Sequence, residues 1–139
     1  MSTLLLSACG AAPTPAPTAT ATPGGFRFGQ PVTSESAAML AASSAWRMSF
    51  EADGSPLLIA AQPMTYGEYS ARFSAGSARP DAMKVWLVVY YDQAWQVHGP
   101  AGTQPPPFAG CVAVLLNASD GTPLEVTGPL SKGSMSGCD

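Results

Sequence analysis

The sequence predicts an α+β fold, an N-terminal helix packed on a small antiparallel β-sheet and preceded by a disordered tether. Three observations carry it. Residues 34–46 place Ala38, Met39, Ala42, Ala45 and Trp46 at three- and four-residue spacing, the period of one helix face. Residues 84–91 (KVWLVVYY) are β-branched and aromatic on both alternating faces, as a central strand requires. Residues 111–116 (CVAVLL) precede the turn residues 117–121 and a returning stretch, 122–127, which is the pattern of a hairpin.

Each element has its own local reasons. Thr33 is placed to cap the first helix, and Glu35 sits in its first turn, where the helix dipole favours a negative charge. Asp53 to Pro56 reads as a turn, followed by a short strand over 57–61 that Pro63 bounds. Thr65 and Glu68 have capping-box spacing, so a short helix follows over 66–73. In the central strand Val85, Leu87, Val89 and Tyr91 share one face, and Trp86, Val88 and Tyr90 the other. The segment 94–97 continues it past a bend at Asp92 and Gln93. Three consecutive prolines, 105–107, exclude a strand ladder from the loop over 98–110, because they lack the N–H donor. Pro123 puts the return strand at a sheet edge or strand start. Residues 128–139 form a Gly/Ser-rich tail.

The first nine residues are of a different kind. Leu6-Ser7-Ala8-Cys9 resembles the bacterial lipobox, an apolar residue and two small ones ahead of a cysteine. The resemblance implies a diacylglyceryl group on the Cys9 thiol, whose two chains suffice for stable anchoring where a single one does not. The apolar run is only Leu4, Leu5 and Leu6, the last within the box, and no basic residue precedes it, so the signal reads as truncated. Residues 10–25 contain four prolines, no charge and no large apolar side chain, and cannot bury enough surface to fold. They form a spacer. The composition changes at Phe26, and 26–139 reads as a single globular domain. The chain is thus expected in the bacterial cell envelope, lipid-anchored and facing outside the cytoplasm.

Composition narrows the functional classes. Charged residues make up 11% of the 139, the net charge is -3, and the six Lys and Arg are scattered, which argues against a nucleic-acid partner. The three cysteines divide as one plus two: Cys9 for the lipid, and Cys111 with Cys138 for a disulfide. The return strand ends beside Cys111, and the tail has slack to bring Cys138 back. Two free thiols are the alternative. Zinc is a weaker one, with His98 alone to join the pair.

No residue set announces catalysis. His98 is the single histidine and stands in a Gly/Pro loop, with no G-x-S-x-G elbow to activate a serine. Glu51 with Asp53 and Asp120 with Glu125 are the candidate carboxylate pairs, and both read as turn or surface charges. Asn117 to Ser119 matches a glycosylation sequon that a bacterial lipoprotein would not normally use. No catalytic residue, cofactor or metal is expected. Trp95, His98 and Phe108 flank the Pro-rich loop and are the candidate binding surface.

The strand VWLVVYY (85–91) and the segment VAVLLNASDGTPL (112–124) resemble the PepSY pattern. There a V-W-x-V strand precedes a hydrophobic strand ending in D-A-x-T-G-x-x-L. Asn117 stands in place of the Asp, and Asp120-Gly121 in place of Thr-Gly. The similarity covers about residues 33–127. It implies a PepSY-like, cystatin-like helix on an antiparallel sheet. It also implies a non-catalytic role in extracytoplasmic protein binding, including peptidase inhibition. A small-molecule or cell-wall ligand-binding module, with its cleft between the sheet and the 98–110 loop, is the alternative.

Overall fold

A computed structural model describes residues 28–73, 78–100 and 105–138. The expected signal, spacer, domain start at Phe26 and lipidated Cys9 lie outside those residues. In chain order the elements are α1 (Glu35–Ser49), β1 (Phe50–Ala52), β2 (Leu57–Thr65), α2 (Tyr66–Phe73), β3 (Lys84–Val97), β4 (Phe108–Asn117) and β5 (Pro123–Thr127). The fold is α+β, as expected. Its five strands form one antiparallel sheet in the order β1-β3-β4-β5, with β2 pairing the other half of the β3 edge that β1 occupies. The strand β3 is central and β5 is an edge, as the patterning and Pro123 predicted.

Helix α1 starts one residue later than expected. Ser34, not Thr33, is the N-cap, and its Oγ accepts from the Ala37 amide at 3.2 Å. The helix also runs on to Ser49, past the expected end at Trp46. Its buried face is small along most of its length, with Ala38, Ala41, Ala42 and Ala45 completely enclosed, and ends on the buried Trp46. The sheet beneath supplies the large groups, Trp86, Tyr90 and Trp95, so small residues on one layer meet rings on the other. The rings are also tied by hydrogen bonds: Trp86 Nε1 donates to the Val32 carbonyl at 2.9 Å and Tyr90 Oη to that of Met39 at 3.0 Å.

The opposite face carries Val85, Leu87 and Val89 beneath α2 and the C-terminal segment. Thr65 and Glu68 form the expected capping box: the Thr65 amide donates to Glu68 Oε2 at 2.9 Å, and the Glu68 amide to Thr65 Oγ1 at 3.2 Å. The helix has its expected bounds.

Three departures share one cause, pairing that the sequence does not display. The strand β2 passes through Pro63 to Thr65, because it pairs only with β3 and a proline is tolerated on an edge strand. The strand β1, not anticipated, forms where Phe50–Ala52 meets Trp95–Val97. Between Asp92 and Trp95 a bulge advances β3 three residues while β4 advances two. The Asp92 carboxylate secures it by accepting from the Ala94 amide at 2.9 Å. That extra residue reverses the alternation, so Trp95 joins the face of Trp86, Val88 and Tyr90.

Candidate functional site

The surface expected around the Pro-rich loop is not assembled. Trp95 is completely buried, with its indole N–H donating to the Gly110 carbonyl at 2.9 Å. It packs edge-on against Trp46 at 5.1 Å and Phe50 at 6.1 Å between ring centroids. Phe108 is half-buried and packs against Phe50 at 6.0 Å. Trp95 and Phe108 therefore fill the end of the core and do not line a concave apolar pocket. Of the three, His98 alone presents its side chain to solvent, with Nε2 3.8 Å from Glu51 Oε2 in an open, screened pair. Beside this loop a shallow polar hollow of about 310 Å³ is lined by Glu51, Ala52, Asp53, Ala94, Gln96 and Pro107.

The second carboxylate pair is divided between two tasks. Asp120 belongs to the β4–β5 turn, where its carboxylate accepts from the Thr122 amide at 2.9 Å and is thereby held below its ordinary pKa. Asn117 Oδ1 is likewise used in that turn, accepting from the Ser119 amide at 2.9 Å. Glu125 lies instead on the floor of a groove on the α2 face of the sheet.

This groove encloses about 490 Å³, within the roughly 300–1,000 Å³ of small-molecule clefts. Sequence reasoning missed it, because its walls come from three distant stretches. One wall is α2, where Tyr66, Tyr69 and Phe73 recur at helical spacing and stack in turn, Tyr69 on Phe73 at 5.1 Å. The Arg72 guanidinium lies over the Phe73 ring, 5.6 Å from its centroid. The floor is β5, whose Glu125 and Thr127 stand two residues apart and so share a face. The other wall is the chain after β5, with Pro129, Leu130, Ser131 and Ser134.

Two hydroxyls fix the Glu125 carboxylate. Thr127 Oγ1 donates to Oε1 at 3.0 Å, and the hydroxyl of the buried Tyr69 bonds the same carboxylate. Burial, then the Glu125 charge and that hydrogen bond, push the Tyr69 pKa well above the usual tyrosine value, so the hydroxyl remains a donor. Arg79 lies close by, donating to the Leu124 carbonyl at 3.4 Å and resting over the Tyr66 ring.

The outer wall is held covalently. Cys111, on β4, and Cys138 form the expected disulfide, with Cα atoms 5.3 Å apart and a sequence separation of 27. The Leu130 amide donates to the Cys111 carbonyl at 3.0 Å, and Met135 is buried against the same core. Gly128 starts this strap where nothing larger fits: a Cβ there would lie 2.8 Å from a Val112 methyl. Residues 128–138 thus form a strap across the sheet.

Among the described residues there is no group of three or more His, Cys, Asp or Glu able to hold a metal ion, and no helix long and apolar enough to cross a membrane. No protein-family model, curated protein or solved structure matches this chain.

Proposed function

We propose that this protein is a lipid-anchored, non-catalytic binding domain of the bacterial cell envelope, displayed outside the cytoplasm on a diacylglyceryl group at Cys9 and engaging a protein partner. The observation that carries the reading is the Cys111–Cys138 disulfide. It uses two of the three cysteines and leaves Cys9, behind Leu6-Ser7-Ala8 and ahead of a charge-free Pro/Thr spacer, as the one available for lipid. Disulfides persist in oxidising compartments, which suits an exported domain.

The finer, PepSY-like reading draws support from the order of elements, helix first and antiparallel strands after, with VWLVVYY at the sheet centre. The chain adds α2 and the disulfide strap to that plan. The second reading, a small-molecule or cell-wall ligand module, draws on the α2-face groove, whose volume suits such a ligand. It does not draw on the cleft beside the Pro-rich loop, because Trp95 on β3 and Phe108 at the start of β4 pack against Phe50.

The test is fractionation of bacteria that express the natural gene, with mass analysis of the N-terminal peptide. The reading expects a diacylglyceryl-modified Cys9 in the membrane fraction and loss of membrane association in Cys9→Ser. An unmodified peptide that retains residues 1–8, in a soluble fraction, refutes it.

A further inference from the structure

We propose that the α2-face groove is a receptor for a cationic side chain, the ammonium of a lysine or the guanidinium of an arginine presented by the partner protein. The inference rests on reading the domain as a binder, and not on the lipid at Cys9.

Glu125 is the reason. It is a half-buried residue whose carboxylate stays open to solvent where Thr127 Oγ1 donates to it, and the Tyr69 hydroxyl bonds it from the α2 side. An ionised carboxylate offers about four acceptor positions, and Tyr69 and Thr127 occupy two. Among the described residues it has no ion-pair partner within 4 Å. A fixed carboxylate with acceptor positions to spare binds an incoming ammonium or guanidinium through charge-assisted hydrogen bonds. Its orientation is already set, so little is lost in ordering it.

The walls fit the rest of such a side chain. The Phe73 ring lines the groove with Arg72 over it, 5.6 Å from its centroid, and this is the kind of cation–ring contact that a partner's lysine or arginine would make by displacing Arg72. Pro129 and Leu130 face the rings from the strap and suit the methylene stem. Arg72 lines the groove and lies over Phe73, Arg79 is engaged at the Leu124 carbonyl and the Tyr66 ring, and Lys132 follows Ser131 in the strap. They disfavour a bare inorganic cation more than one carried on an apolar stem, which gains from the walls as well as from the charge.

The partner segment is accordingly basic, and the described domain has the complementary balance. It carries five Lys and Arg (47, 72, 79, 84, 132) against eight Asp and Glu (35, 51, 53, 68, 81, 92, 120, 125), a formal charge of 5 − 8 = -3.

The experiment is an NMR titration of the full chain with N-acetyl-lysine amide and N-acetyl-arginine amide, beside the norleucine and glutamate analogues. Saturable shifts at Glu125, Tyr69 and Phe73 with the two cationic probes alone are expected, weakened about tenfold in Glu125→Gln. Tyr69→Phe, which keeps the carboxylate and removes one of its hydroxyl donors, is expected to bind between the two. Unchanged Leu87 and Val114 methyl signals establish that each variant is folded. Equal shifts with norleucine, unchanged binding in a folded Glu125→Gln, or no saturable shift up to the solubility limit each overturn the proposal. Recovery of a partner that docks elsewhere would overturn this inference alone and leave the binding reading intact.

Discussion

The two faces of this sheet are closed in opposite ways. On one, α1 lays four buried alanines and Trp46 over Trp86, Tyr90 and Trp95, and hydrogen bonds from the Trp86 and Tyr90 rings complete the packing. On the other, the eight-residue α2 covers only part of the sheet, and an irregular strap finishes the work under a disulfide. The first face is a finished core. The second keeps a groove of about 490 Å³ with a fixed carboxylate in it. Regular structure closes a surface by complementarity, whereas a covalent strap holds a wall in place without filling what lies beside it.

Breaking each face should therefore give different signatures. The largest effect is expected on the α1 face. Trp95→Ala empties a completely buried site and should lower stability by about 3–5 kcal/mol, read as a shift of the urea midpoint. A loss under about 1 kcal/mol would mean that the ring cluster at the end of the core is not the unit described.

On the strap face, replacing Cys111 and Cys138 together by Ser should lower stability by about 3.5 kcal/mol, from the closure of a 27-residue loop. The spatial pattern matters more than the magnitude. Amide exchange should rise first in residues 130–138, with α1 still protected. Equal loss of protection in α1 would show a single cooperative unit and remove the distinction between the faces.

The smallest effect is in alkali. Both Tyr69 and Tyr90 have raised pKa values, so the folded state holds their protons more tightly than the unfolded chain does. The stability each contributes is complete below the ordinary tyrosine pKa near 10 and is lost as the pH climbs above it. On the strap face the Glu125 charge adds to burial, while at Tyr90 the Ser43 hydrogen bond and Arg47 offset it. Tyr69→Phe should thus flatten the decline in urea midpoint above about pH 10 more than Tyr90→Phe does. An unchanged decline in Tyr69→Phe would contradict the Tyr69–Glu125 contact.

The parts of the fold that were legible in the sequence depend on local periodicity. Alternation sorted Val85, Leu87 and Val89 from Trp86, Val88 and Tyr90 onto the faces they occupy. Thr65 and Glu68 located α2 through a three-residue spacing, and the returning hairpin predicted that Cys138 would reach Cys111. Trp95 was misplaced because one inserted residue at the Asp92 bulge flips every later side chain, and nothing in the spacing of Ala94, Trp95 and Gln96 shows it. The groove was invisible for another reason. Tyr69, Glu125 and Ser134 meet only through the sheet order and the disulfide, and no local window contains them together. The capping box located the helix that forms one wall, but Asp120 and Glu125 both read as turn or surface charges, which holds for Asp120 and not for Glu125 on the groove floor.

The central claim is that this is a tethered binding domain whose working face is the strapped one. It is tested most directly by placing a photocrosslinking amino acid at Ser131, on the groove rim, or at exposed Leu40, on the outer side of α1, in the protein expressed from its natural gene in living cells. The account predicts a discrete protein adduct from the Ser131 position that disappears with Glu125→Gln, and none from the Leu40 position. Adducts from Leu40 alone, or Ser131 adducts indifferent to Glu125, would contradict it.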